Sequence, residues 1–340
     1  REIGLDVALE QENIRILGTD TGDHIVQRTG DESSHMILPA LHLEEGEIIN
    51  QFKKELQGIE NPDASDVVKH VRSYFREEFL TTKVGITGAN FLVADPGAVV
   101  IVENEGNAQL SAALSNVHIV VAGIEKILPC LADLDLFLPL LSTYGTGQAA
   151  TSYTSIITGP RHTDELDGPE ELYVILLDNG RSSVLAQEVQ RQAMNCIHCG
   201  ACQYACPVYH AAGAAAFPSP VAAVKLPLQH PEGTYNELAH SSTLCGACRE
   251  VCPVKIDLPR LLLENRKWLV DHGQAPRSER WFYFLWKKAM LKRDIMNWKG
   301  LKAGRYIMNN LYGSKDNLRK APTSAPKSFN EQWRDKMNYR

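Results

Sequence analysis

Long apolar runs are missing from this sequence. None approaches the roughly 18–20 residues that a bilayer-spanning helix needs, and no secretory signal stands at its start. No G-x-G-x-x-G follows a predicted strand, which removes the fingerprint of a bound dinucleotide. Cysteine is scarce before Cys196, where Cys130 stands alone. Positive charge is not in excess: 35 Lys and Arg face 41 Asp and Glu, for a net charge of −6, and no nucleic-acid partner is expected. The chain opens on Arg1 rather than Met, and the expectation is that a longer protein has an N-terminal part preceding it.

What is present suits a globular protein of about two domains: 340 residues, 44% apolar and 22% charged. Charge is unevenly spread. From Lys292 to Arg340 there are 12 Lys and Arg against 4 Asp and Glu. A basic tail on an acidic body suits either an anionic partner or membrane surface, or simple solvation of a poorly packed tail.

Before Ser182, β-rich runs alternate with helical stretches, which predicts an α/β domain with a largely parallel sheet. Ile14–Leu17 and His24–Gln27 read as strands around the turn Thr19–Gly22. Helices are expected at Glu44–Leu56 and, behind an Asp/Ser cap region, at Asp63–Phe79. Strands are expected at Lys83–Ile86, Phe91–Ala94, Ala98–Val102, Val117–Ala122, Thr154–Ile157 and Leu172–Leu177, with a helix from about Lys126 to Ser142. Arg181–Asn195 reads as a helix leading into the cysteines. Residues 211–231 read as a loop with short helical pieces. Leu258–Asp271 and Arg280–Arg293 read as helices, the first with Pro259 in its opening turn.

Seven of the eight cysteines lie between Cys196 and Cys252. The first group is Cys196-x2-Cys199-x2-Cys202-x3-Cys206-Pro207. Three thiolates two residues apart wrap three corners of one iron–sulfur cuboid, and the fourth, followed by Pro, is carried to a second cluster. Zinc sites use paired CxxC or Cys/His sets instead. The second group, Cys245-x2-Cys248-x3-Cys252-Pro253, has Ser242 where the first has Cys196. Cross-ligation assigns Cys196, Cys199, Cys202 and Cys252 to cluster one. Cluster two receives Cys206, Cys245 and Cys248. Its fourth position is open to three readings: a [3Fe–4S] centre, a [4Fe–4S] centre with an oxygen or nitrogen ligand such as Ser242 or His240, or an iron open to an outside ligand. His198 and His210 read as neighbours of the clusters rather than ligands, and Cys130 as a free buried thiol.

The α/β half has candidate pocket residues of its own. Thr87–Asn90 and Glu103–Asn107 form Gly-containing turns after strands, where α/β sheets place ligands. Arg161 is a candidate carboxylate clamp, Glu103 or Glu105 a candidate general base, and His162 and Asp178 further candidates. The competing reading is ordinary turn chemistry, with Arg161 paired to Glu103 or Asp178.

The segments Gly85–Phe91, Val102–Asn107, Ile156–Arg161 and Leu177–Ser182, followed by the two cysteine groups with Leu244–Cys248 and Val254–Pro259, resemble the lactate-utilisation iron–sulfur protein B family. The resemblance covers roughly residues 10–270. It implies a lactate-utilisation (LUD) domain of sugar-isomerase and CoA-transferase-like α/β fold, over 1–182. An α-helical ferredoxin-type domain with two clusters, over 183–272, and C-terminal helices with a basic tail, over 273–340, would follow. It implies a cytoplasmic electron-transfer subunit of a complex oxidising L-lactate to pyruvate, partnered by a cysteine-rich subunit and a second LUD subunit. Two alternatives stand beside it: the LUD pocket itself oxidises a 2-hydroxy acid, or the chain serves another donor such as glycolate or a thiol/disulfide couple. The aromatic stretch Trp281–Trp286 beside Lys287 and Lys288 is a candidate docking surface.

Overall fold

The computed structural model describes residues 3–31, 38–274, 277–292, 327 and 329–337. The chain divides into two compact units, Arg1–Trp268 and Leu269–Arg340. In the first, helices α1 (Leu5–Gln11), α2 (Thr21–Thr29), α3 (Glu45–Gln51) and α4 (Ala64–Thr81) precede the sheets. Asp63 caps α4 by accepting the Asp66 N–H, while the Asp66 carboxylate accepts the Asp63 N–H in return. Val67, Val71 and Phe75 then fall on one face of α4 and bury against Ile25, Phe52 and Leu56.

The strands expected at Ile14–Leu17 and His24–Gln27 are not formed. Asp20 accepts the Asp23 N–H at 2.8 Å and starts α2, so the short polar turn is a helix cap. Helix α3 ends at Gln51, short of the expected Leu56, but Phe52 and Leu56 stay in the core.

Strands β1 (Val84–Gly88), β2 (Phe91–Asp95) and β3 (Ala98–Glu103), helix α5 (Asn107–Ala113), and strands β4 (Val117–Gly123) and β5 (Ile127–Cys130) follow. Next come helix α6 (Leu134–Leu141) and strands β6 (Tyr153–Ile157) and β7 (Glu171–Leu177). They make two sheets rather than one. The order β1-β4-β7 is wholly parallel, whereas β5-β2-β3-β6 is mixed. The mixture arises because Pro96 and Gly97 turn β2 straight back onto β3, with Gly97 at φ 86°. The helix expected from Lys126 begins instead with β5, where Ile127 and Leu128 pair beside Leu92 and Val93. Leu92, Val99 and Ile101 pack against Val120 and Ala122, locking one sheet to the other.

From Arg181 the chain is helical: α7 (Arg181–Leu185), α8 (Ala201–Tyr204), α9 (Pro207–Ala212), α10 (Pro220–Gln229), α11 (Ala247–Glu250) and α12 (Leu258–Asp271). The helix expected over Arg181–Asn195 breaks after Leu185 and resumes as a 3-10 turn at Gln190–Asn195. The expected loop at 211–231 contains α10, because Ser219 accepts the Ala222 N–H and Pro220 opens the first turn. In the second unit, α13 (Arg277–Met290) exposes Trp281, Phe282, Phe284 and Trp286, and α14 (Phe329–Met337) follows. Most of the basic tail, including the stretch expected to pack poorly, lies outside the described residues. Among the described residues no helix is long and apolar enough to cross a membrane.

His118 on β4 is fully buried, with Nε2 2.8 Å from the Thr87 hydroxyl and no partner for Nδ1 among the described residues. Burial lowers its pKa. The unfolded chain therefore takes up a proton near pH ~6.5 that the folded chain refuses, and stability falls as pH drops below that point. In His118→Gln the unfolding free energy should decline less steeply from pH ~6.5 to ~5 than in the parent, as measured by urea titration at each pH. An unchanged slope would mean that His118 is protonated in the fold.

Candidate metal centre

The first cysteine loop leaves the 3-10 turn at Cys196. His198 then adopts φ 60° and Gly200 φ 76°, the latter capping α8. Those left-handed residues curl the loop so that backbone N–H groups face sulfur. The His198 N–H donates to Cys196 Sγ at 3.4 Å, and the Ala201 N–H reaches the Cys199 thiol. Cys206 caps α9, with Pro207 in its first turn. On the second loop the Ile256 N–H donates to Cys252 Sγ at 3.3 Å, and the Ala247 N–H reaches Cys245.

The two loops meet. One cavity is lined by Cys196, Cys199, Cys202 and Cys252, walled by Ile197, Val221, Val254, Ile256 and Leu258. Cys206 and Cys245 lie close enough to Cys248 for their charges to act on it. Cys206, Cys248 and Cys252 belong to the apolar core shared by α10 and α12. That burial pushes the Cys202 thiol up to about 12 and the Cys248 thiol up to about 11. Cys245, at the surface, is instead lowered by the Ala247 N–H. Among the described residues no three His, Cys, Asp or Glu side chains converge on a point that suits a single metal ion. The donors are soft sulfurs, the walls are apolar and backbone N–H groups face the thiols, which fits iron–sulfur cubanes.

Around the thiols lie groups with no sequence signal. Arg181 Nε donates to Glu125 Oε2 at 2.6 Å, and both side chains are almost wholly buried. Gly180, at φ 78°, stands so close to Gln229 that a Cβ there would lie 2.4 Å from its carbonyl oxygen, which ties the end of β7 to α10. Lys225 on α10 brings Nζ to 3.5 Å from His198 Nε2, and Lys126 lies within charge range of Cys196. Buried Asn265 donates to the Val224 carbonyl at 2.7 Å. These groups are distant in sequence and come together only through the fold.

The candidate residues of the α/β half have local partners. Glu103 accepts the N–H groups of Ala108 and Gln109 at 2.8 and 2.7 Å, which caps α5. Glu105 accepts from the N–H and hydroxyl of Thr21, at the start of α2. Asp178 accepts from the Ser182 N–H and hydroxyl at the start of α7. Arg161 pairs with Glu170 at 2.6 Å rather than with Glu103 or Asp178. The His162 backbone N–H donates to Glu165. Asn90 accepts the Val102 N–H within the hairpin. Cys130 ends β5 rather than lying in a helix, and its thiol donates to Asp133 at 3.4 Å. His240 is exposed, and Ser242 Oγ accepts the Leu244 N–H at 3.2 Å.

A family model described as the LUD domain matches residues 7–177. The chain belongs to the LUD-domain family. A second family model, the 4Fe-4S dicluster domain, matches residues 192–256, so the helical segment is a dicluster module holding two iron–sulfur clusters. Among curated proteins, "Lactate utilization protein B" of Anoxybacillus flavithermus is 41% identical over 285 residues, 82% of this chain and 60% of the relative. Proteins of the same name from Bacillus cereus and Macrococcus caseolyticus are also 41% identical, with the same coverage. The chain thus spans about 60% of the length of the curated relatives it matches. Among solved structures, a DUF162 family protein from Deinococcus radiodurans aligns at 13% identity with a TM-score of 0.24, over 47% of this chain and 99% of its own.

Removing one partner of a buried ion pair strands the other charge. Glu125→Ala should therefore cost about 3 kcal/mol of unfolding free energy, read as a lower urea midpoint. A shift no larger than that of an exposed pair such as Lys69–Asp66 would show that Arg181 finds other compensation.

Proposed function

We propose that this chain is an electron-carrying subunit of an assembly that oxidises L-lactate to pyruvate, passing electrons singly between two clusters. The observation that carries the reading is the cavity in which Cys252, from the second loop, completes a set with Cys196, Cys199 and Cys202 from the first. Each loop thereby lends its last cysteine to the other's cluster: Cys196, Cys199, Cys202 and Cys252 hold cluster one, and Cys206, Cys245 and Cys248 hold cluster two. Cross-ligation keeps the two centres adjacent inside one apolar core, as a wire requires. Iron–sulfur centres supply one-electron transfer when bound. The protein's own contribution is apolar walls, N–H groups aimed at sulfur and the fixed charges of Lys126 and Lys225.

The lactate assignment follows the names of the relatives. We assign 1–182 to the LUD domain, 183–272 to the cluster domain and 273–340 to the C-terminal helices and tail. In this reading the LUD domain binds or docks rather than oxidises, because Glu103 and Glu105 already cap helices and Arg161 is paired. The partners are a cysteine-rich subunit and a second LUD subunit. The exposed aromatics of α13 are the surface offered to them.

Anaerobic visible absorption of the chain tests this. Dithionite should bleach the iron–sulfur band and L-lactate alone should not. Bleaching by lactate would place the oxidising site within this chain and make Glu103 and Arg161 the first variants to examine. In Cys206→Ser, EPR should show cluster two disturbed and cluster one retained. Loss of cluster one instead would overturn the ligand assignment.

A further inference from the structure

The second cysteine loop repeats the backbone of the first position by position. Leu244 has φ 56° where His198 has φ 60°, and Gly246 has φ 90° where Gly200 has φ 76°. Gly246 caps α11 as Gly200 caps α8, and these two four-residue helices pack on each other. The Ala247 N–H faces Cys245 as the Ala201 N–H faces Cys199. At a constant offset along the chain, Ser242 is the counterpart of Cys196. The hydrogen bond repeats too: Leu244 N–H donates to Ser242 Oγ at 3.2 Å, as His198 N–H donates to Cys196 Sγ at 3.4 Å.

Leucine in a left-handed conformation is costly, since only Gly, Asn and Asp adopt it readily. The fold holds Leu244 there, and the loop is anchored from α12. Arg266 donates to the Ala239 carbonyl at 2.8 Å and to the Ser242 carbonyl at 3.1 Å. A loop that merely connected α10 to α11 would need none of this. In the second loop the hydroxyl thus takes the local position that the Cys196 thiol takes in the first.

We propose that Ser242 Oγ is the fourth protein ligand of cluster two, giving that cluster one oxygen-held iron beside three sulfur-held ones. The inference rests on the assignment of Cys206, Cys245 and Cys248 to cluster two. An alkoxide is a harder donor than thiolate and suits an iron–sulfur corner less well. The iron on Ser242 is therefore the one that leaves on oxidation. A [4Fe–4S]2+ cluster gives one electron to ferricyanide, the Ser242–iron bond breaks and Fe2+ departs to a chelator. The serine oxygen takes up a proton, and a [3Fe–4S]+ core stays on three thiolates. Added Fe2+ and a reductant reverse the step. Cluster two is thus a site that gains or loses one iron with the oxidation state of its surroundings, while cluster one stays intact.

The test uses the full chain, reconstituted anaerobically with iron and sulfide, then treated with ferricyanide and EDTA. The readouts are the spin-one-half EPR signal of a three-iron core and the iron released per chain. The parent should show the signal and lose one iron per chain, both reversed by Fe2+ and dithionite. Ser242→Cys should abolish the signal and retain the iron. Ser242→Ala should show the three-iron signal as reconstituted, before any oxidant. The proposal is overturned if Ser242→Ala matches the parent, or if Ser242→Cys still loses iron. Cys206→Ser separates the two levels. If that variant removes cluster two while the serine variants are silent, only the serine inference falls. If it leaves both clusters unchanged, the ligand assignment beneath it falls as well.

Discussion

Everything in the C-terminal half depends on burying thiols from two distant loops in one apolar core. Cys206, Cys248 and Cys252 lie buried among Phe217, Val224, Leu261 and Leu262. Burial opposes ionisation of Cys248 and of Cys202 beside this core, so those two sulfurs hold their protons until metal displaces them. The same burial gives a low dielectric around the centre, one of the levers on an iron–sulfur potential. Packing and cofactor binding are thus one requirement: α10 and α12 have to close over the loops for the thiols to meet, and Asn265 fastens one helix to the other.

The α/β half is attached to this core through polar contacts. The Arg181–Glu125 pair sits where the end of β4 meets the start of α7, and Gly180 lets that turn approach α10. Lys126 and Lys225 approach the first cysteine loop from the two sides of this boundary. Positive charge beside a thiolate cluster offsets its negative charge. The loop after β4 thus sets a charge of the α/β half beside Cys196. Meanwhile the carboxylates that resemble catalytic acids are spent on helix ends: Glu103 on α5, Glu105 on α2 and Asp178 on α7.

Legibility in the sequence varied with the kind of signal. Helix α4 was readable because its cap and its apolar period agree, and β3 because Ala98–Val102 is a continuous apolar run. Strand β5 was not, because Ile127–Cys130 continues into Leu131–Leu141 as one apolar stretch, and period alone does not separate a short strand from a buried helix. The segment around Asp20 failed for a related reason: a polar turn between short apolar pieces suits a hairpin and a capped helix equally. The mixed pairing of the second sheet hinged on Asp95-Pro96-Gly97, a turn signal that runs of apolar residues do not reveal.

The sequence by itself determined the cofactor chemistry, since four thiols spaced by two, two and three residues before a proline are a local geometric instruction. It also determined that a second, incomplete copy of that pattern lies further on. The spacing also grouped Cys252 with the first loop, and the tertiary structure brings it there through the packing of α10 and α12. Only the tertiary structure decided that Arg181 meets Glu125 and that Asn265 meets Val224. Those contacts join residues far apart in the chain, and no local pattern encodes a distance that the fold has yet to create.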